Sequence, residues 1–547
     1  MNPLIQLKTT PPLLITLALL CFGLSPRAEA LLPPPAPDGG YPGGNTAEGT
    51  DALFSLTSGV WNTAVGAQAL KNDTAGGGNT ATGFQALFNT TTGNQNTAYG
   101  SQSLYTNTTG NQNTATGFYT LFSNTMGNNN TANGYQALGS NSTGENNTAI
   151  GSFALRHNND SSDNTAIGSD ALRLNTGQQN TAIGASALRS NTTGSFNTAI
   201  GVAALFSNIS GFENTAIGFR ALLNNTDGNR NTGMGYKALA LNEHGNDNTA
   251  IGWHALAQNI FGFENTAIGS DALRVNTAGQ NTAIGANALR SNDSGGGNTA
   301  CGHQALSANT TGGANTASGV NALLSNIDGD FNTAIGLNAL NINTAGNNNI
   351  ALGFSAGSNI TGDNNIDIGS TGGGSESGTI RIGQLGSQTR TFIAGIRDVT
   401  TGNMNAIPVL IDSVGQLGTM SSSKRFKKEI KRMDKASEPI LAFKPVTFHY
   451  KSDNTGTPQF GLIAEEVAEV NPDLVVRDSD GKIYTVRYEA VNAMLLNEFL
   501  KAHRRMEEQD RRIEELTAQL KQQAAQIQKV SAQVETSRTA PQVVNNP

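Results

Sequence analysis

The stretch Asn164 to Gly184 reads NTAIGSDALRLNTGQQNTAIG, and Asn265 to Gly285 reads NTAIGSDALRVNTAGQNTAIG. Each begins and ends on the same pentapeptide. Working outward from them, Asn-Thr (Asn-Ile in the last two units) opens twenty units between Asn45 and Asn365, spaced by 17 residues except for three steps of 16. The consensus is N-T-A-I-G-x-x-A-L-x-x-N-T-T-G-x-x. The two quoted stretches lie 101 residues apart, so a block of six units has been duplicated as well as the single unit. A fixed period of this kind is the signature of a stacked-repeat architecture.

One unit is physically readable. Thr-Ala-Ile makes a very short strand, and the following Gly permits a turn or a close backbone approach. Ala-Leu is a second apolar patch, and N-T-T-G is turn chemistry. No unit carries enough apolar surface to fold alone. Stacked coils are expected to bury Ile on Ile and Leu on Leu, with Asn and Thr bonding to the same residue one coil away. Twenty coils at ~4.8 Å give a rod roughly 95 Å long. Cys301 takes the place of Ile in its unit (NTACG) and is expected to be a small core hydrophobe.

Composition agrees that no ordinary globule is being built. Gly supplies 64 of 547 residues, charged residues only 14% and aromatics 6%. Too few charges are present to keep a disordered chain solvated. A net charge of −7 argues against a nucleic-acid binder, which needs a basic face. Two cysteines, Cys21 and Cys301, make no disulfide framework.

Residues 1–30 read as a secretory signal, with Lys8, the apolar run Leu13 to Leu20, and Ala28-Glu29-Ala30 as a small-x-small cleavage site. The run is shorter than a bilayer span, so no membrane span is expected in the mature chain. Bulky Leu20 before Cys21 weakens a lipoprotein reading. The mature protein is expected to start after Ala30, as a secreted or cell-surface protein, with residues 31–44 a Pro/Gly linker.

The NTAIGxxAL unit resembles the SVAIGxxA repeats of trimeric autotransporter adhesin heads (YadA-like), in which three chains of parallel β-roll share one core. The resemblance covers about 60% of the chain. The 17-residue period is longer than the usual head repeat, so a trimeric and a self-sufficient monomeric roll both stay open. The C-terminal membrane barrel of that family has no counterpart here, since no alternating strands follow. Other solenoids fit less well. An acyltransferase β-helix wants a catalytic His, and His157, His244, His254 and His303 fall in unrelated repeat phases. Calcium β-rolls want a regular Asp, and a flat Thr-ladder ice binder wants only the Thr ranks.

At about Ser370 the repeats give way to Gly-Ser text and strand-like runs, which form a β-rich connector over 370–420. Charge density rises from Lys424. FKPVTFHY (Phe443–Tyr450) reads as a strand, QFGLIAEEVAEV (Gln459–Val470) as a strand turning into a helix, and KIYTVRY (Lys482–Tyr488) as a strand. A long helix follows. Its heptad a positions are Phe499, Met506, Ile513, Leu520, Ile527 and Val534, and its d positions Ala502, Gln509, Leu516, Gln523 and Val530. Apolar a positions throughout predict a coiled coil over 499–535, with a trimer preferred, and a disordered tail over 536–547. The fold class is therefore mainly β: a long parallel β-solenoid over 45–369, then a small α+β domain over 421–498 ending in the coiled-coil helix.

Ser422-Ser423-Lys424-Arg425-Phe426-Lys427 with Ile430 resembles the S-D-x-R-x-K…I opening of the endosialidase-type intramolecular chaperone domain, a self-cleaving peptidase found at the ends of phage tailspikes and fibres. Lys444-Pro445-Val446, Tyr450, Gly461 to Val467, Pro472, Leu474-Val475, Tyr484 and Tyr488 follow in the family's order. The resemblance implies a trimeric chaperone that nucleates folding of the β-structure before it and then cuts itself away. It implies Ser422 as nucleophile and Lys427 as its base. A lysine serves as base when its pKa falls, and Lys424, Arg425 and Lys428, with burial in an assembled trimer, push Lys427 that way. The family's Asp after the serine is Ser423 here, which leaves Ser421, Ser422 and Ser423 open as the residue used. His449, within FHY, reads as a packed or surface histidine. No cofactor or metal is expected. The expected function is an adhesin-like fibre, trimerised and folded by its C-terminal domain, with a surface glycan or cell-surface ligand as partner. A non-cleaving fibre, and a glycan-binding or glycan-degrading tailspike-like fibre, are the alternatives.

Overall fold

The computed structural model describes residues 40–538, apart from 385, 395, 397–405, 413–414 and 479. The leader expected over 1–30, and Cys21 within it, lie outside the described residues; of the disordered tail expected over 536–547, Thr536 and Ser537 instead continue the last helix, and the part beyond 538 lies outside the described residues. The chain divides into two compact units, Met1–Thr391 and Phe392–Pro547.

In the first unit each repeat is one coil, and its Thr-Ala-Ile forms one three-residue strand in a long parallel sheet. Register is strict: Thr181 lies on Thr198, Ala182 on Ala199 and Ile183 on Ile200. The 16-residue step from Asn164 to Asn180 leaves it intact, with Thr165 on Thr181, so the missing residue is absorbed in the turn. Gly40–Tyr41 pairs antiparallel with the first strand, Asn45–Glu48, and covers that end of the sheet. At the other end Ile380–Ile382 pairs in parallel with Ile366–Ile368. The expected connector thus begins with one more rung of the stack.

The core is built from three side-chain types. The Ala of each strand and the following Ala-Leu are fully buried over most of the length, as in Ala149, Ala154 and Leu155. Two columns of asparagine are buried with them. The Asn that opens each coil accepts through Oδ1 from the backbone N–H of the same Asn in the next coil, for example Asn130 N to Asn113 Oδ1 at 3.0 Å. Its Nδ2 donates to a glycine carbonyl, as Asn113 Nδ2 to Gly127 O at 2.8 Å. The second column links side chain to side chain: Asn141 Nδ2 donates to Asn124 Oδ1, and Asn124 Nδ2 to Asn107 Oδ1, both at 2.8 Å. Thr side chains add rim bonds, such as Thr108 Oγ1 to Thr125 O at 2.9 Å. The glycine after each Ile is held at φ near +130°, and a Cβ on Gly184 would meet the Gly201 carbonyl oxygen at 2.5 Å. Only glycine lets successive coils approach this closely.

The expected isoleucine ladder exists but faces outward. Ile150, Ile167, Ile183, Ile200, Ile251, Ile268 and Ile284 are 36–41% exposed. Strand side chains alternate, so once Ala points into the thin coil, the Thr before it and the Ile after it must point out. Cys301 follows its column and is exposed, not a core hydrophobe. The outward columns have a further property. From Thr63 to Ser370, the second, fourth and sixth positions of the coils contain no Asp, Glu, Lys or Arg. The sixth position carries exposed rings that stack coil on coil, Phe219 on Tyr236 and Tyr236 on Trp253.

The second unit has a small core: Ile440, Val467, Leu474, Val475, Val486, Val491 and Met494. Two hairpins surround it, Val446–Phe448 with Gln459–Gly461 and Val475–Arg477 with Ile483–Val486. Helix α1 (Ala464–Val470) and the start of helix α2 (Tyr488–Ser537) complete it. Strand, helix and strand therefore lie where their patterns place them. Of the strand-like runs in the connector, TRTFIAGI (389–396) is irregular where it is described, and a short hairpin, Leu410–Ile411 with Leu417–Gly418, precedes the serines. Among the described residues no helix is long and apolar enough to cross a membrane.

The inner asparagine column gives way near the two ends of the shaft, where Leu56, Asp73, Thr90 and Ile360 take its place. Asp73 is fully buried; its Oδ1 accepts from Gly76 N–H at 2.8 Å and its Oδ2 has no partner. Burial pushes its carboxyl up to about 7 from the ordinary 3.8. Because the folded value lies above the unfolded one, folding takes up a proton between them. The contribution of Asp73 is therefore fully present below about pH 4, lost between pH 4 and 7, and absent above. Asp73→Asn restores a donor and is expected to stabilise the first coils at pH 8 by about 2–4 kcal/mol while removing this pH dependence. Amide hydrogen exchange around Gly76 at pH 5 and pH 8 measures both effects.

Candidate functional site

The serine-lysine segment sits where the second unit begins to gain structure. Ser421 and Ser422 are in irregular chain. Ser423 is extended, Lys424–Phe426 form a single 3₁₀ turn, and Lys427 leaves it extended at φ −118°, ψ 139°. Two backbone bonds shape the turn, Phe426 N to Ser423 O and Lys427 N to Lys424 O, both 3.1 Å. Both side chains assigned to the chemistry, Ser422 and Lys427, are exposed in the single chain. Among the described residues no hydrogen bond joins them, so the sequence spacing brings them near in the chain without forming a dyad. The Ser421 hydroxyl accepts from Ser423 N–H at 3.4 Å, a long contact. His449 is exposed at the end of its strand, a surface histidine.

From Lys424 to Arg432 the chain carries six cations and one carboxylate, Glu429. Two large apolar side chains lie among them, Phe426 at 64% and Ile430 at 61% exposure, with the Arg425 guanidinium 4.6 Å from the Phe426 ring centroid.

Past it, the chain is anchored firmly. The 3₁₀ segment Asp434–Ala442 lies against helix α2. The buried Ser437 hydroxyl donates to Glu498 Oε1 and accepts from Asn497 Nδ2 at 2.7 Å, while Lys501 Nζ reaches Glu498 Oε1 at 2.6 Å. The Lys501 ammonium and the Ser437 hydroxyl hold the Glu498 carboxyl below its ordinary value. Across the unit, the Tyr488 hydroxyl accepts from Leu462 N–H at 3.0 Å, which ties α2 to the strand before α1. Sequence reading missed the Ser437 network, because its partners lie 60 or more residues away and no local motif marks them.

Residues 422–476 match the family model for the chaperone of endosialidase. The matched segment opens on Ser422, includes Lys427, the first hairpin and α1, and ends within Val475–Arg477, the first strand of the second hairpin; it is about a tenth of the chain. The endosialidase-chaperone segment thus coincides with the strand and helix framework on which Lys444, Tyr450 and Gly461 to Val467 were placed by resemblance. Comparison with curated proteins and with solved structures finds no match.

Ser437 is the fastener between the start of this segment and the long helix. Ser437→Ala leaves the Asn497 amide and the Glu498 carboxylate short of a partner, and is expected to cost about 1–3 kcal/mol. A lowered melting transition of the C-terminal unit, followed by near-ultraviolet circular dichroism of the full chain, checks this.

Proposed function

We propose that the chain is an exported, trimeric fibre whose C-terminal unit assembles the β-solenoid shaft and then releases itself at Ser422. The observation that carries this reading is helix α2. Beyond the small core it runs solvent-exposed to Ser537, yet its a positions Phe499, Met506, Ile513, Leu520, Ile527 and Val534, with Leu516 and Val530 at d, are apolar and 51–65% exposed. A helix of 50 residues with such a stripe covers it by pairing with copies of itself. The uncharged outward columns of the shaft offer a second surface of the same kind. Parallel sheets fold slowly and expose edges, so holding three chains together through α2 raises their local concentration while the coils form.

Release follows from the serine-lysine chemistry. With Lys427 neutral in the assembled state, its amine takes the proton of the Ser422 hydroxyl as Oγ attacks an adjacent backbone carbonyl. The peptide C–N bond breaks, the amine leaves with the proton, and water hydrolyses the ester. Export rests on the charged, apolar and small-residue segments of residues 1–30, with cleavage after Ala30. The biological role we assign is adhesion or a surface layer, with a glycan or other cell-surface ligand on the uncharged coils.

A denaturing gel of the purified chain tests the reading. Wild type is expected to yield a fragment of about 120 residues, which Ser422→Ala abolishes. Cleavage that survives Ser422→Ala but not Ser421→Ala or Ser423→Ala moves the nucleophile. A single full-length band for wild type replaces self-release with a permanent fibre.

A further inference from the structure

Helix α1, the two residues that lead into it and the segment 442–444 enclose a groove of about 150 Å³ whose lining includes Phe443, Leu462, Val467 and Val470. A cavity of that size accepts one benzene ring. Glu466 and Glu469 also line it, with Lys444 as the single cation. In the same unit the segment Lys424–Arg432 has the opposite character: two uncovered apolar side chains, Phe426 and Ile430, among six cations and one carboxylate. Groove and segment complement each other in charge, and the groove's apolar side chains give a ring such as that of Phe426 something to pack on. The segment of the single chain does not use the groove, since Phe426 is not among the lining residues and stays mostly exposed.

We infer that the groove is the docking site for the Phe426–Ile430 segment of a second copy of this chain, with the Phe426 ring in the pocket and Glu466 and Glu469 facing its cations. The inference rests on the trimeric reading above and adds to it. Docking removes water from the segment that carries Ser422 and Lys427 and fixes its backbone, so release waits for assembly. Glu466 and Glu469 are then positioning residues for the cleavage: they act by holding the neighbour's segment and take no part in the proton transfer. Coupling of this kind protects the unassembled chain from losing the domain that assembles it.

Paired cysteines test the contact in the full chain, in a Cys301→Ser background. Phe426→Cys with Val470→Cys is expected to give disulfide-linked pairs of chains on a non-reducing gel. Ile513→Cys alone, on the α2 stripe, reports assembly independently. Linking at Ile513 without linking at the groove overturns the docking and leaves the trimer standing; linking at neither overturns both. A fast-running monomer from the groove pair means that the segment docks in its own chain, which overturns the second copy as occupant. A charge swap tests the positioning role. Glu466→Lys with Glu469→Lys is expected to slow release about ten-fold, and adding Lys431→Glu with Arg432→Glu to recover it. Unchanged release in the first variant, or no recovery in the second, overturns that role.

Discussion

Everything in the first unit depends on one hydrogen bond repeated coil after coil, from the backbone N–H of the opening asparagine to the Oδ1 of the asparagine before it. Asn is a costly residue to bury. An unsatisfied amide inside a protein costs about 1–3 kcal/mol, and here two asparagines per coil are fully buried along most of the shaft. They are tolerable because each finds its partner at the height of one rung. A slip of one residue would break the whole column at once. The ladder thus fixes register more tightly than apolar packing could, since Ala and Leu stacks are indifferent to small shifts. The close approach of the glycine backbones follows from the same spacing.

The inner ladders fill the thin coil and leave the isoleucines outside. This is the point at which sequence and structure part most instructively. The period, the short strands, the turns and the buried leucines were legible in N-T-A-I-G-x-x-A-L, because a fixed repeat places like on like. The direction of Ile was not. It is decided by parity: Ala and Ile are neighbours, so only one can face inward, and the narrow interior takes Ala. Cys301 inherits the outward direction of its column.

In the second unit the elements were readable and their fastening was not. The hairpins and helices follow their apolar patterns, and the heptads of α2 are apolar on the stripe that the structure leaves uncovered. The Ser437 network joins residues 60 or more positions apart, which no local pattern announces. Ser422 and Lys427 were found by their place in a segment whose landmarks agree in order. In the single chain they are exposed and unjoined.

The central claim is that the chain works only as a set of copies held through α2. The most direct measurement is the mass of the full chain in solution by sedimentation equilibrium. The account predicts a species of three chains that falls to one when Ile513 and Leu520 are both replaced by Asp. A wild-type protein that sediments as a single 56.8 kDa chain, or a three-chain species that survives the double replacement, would contradict it.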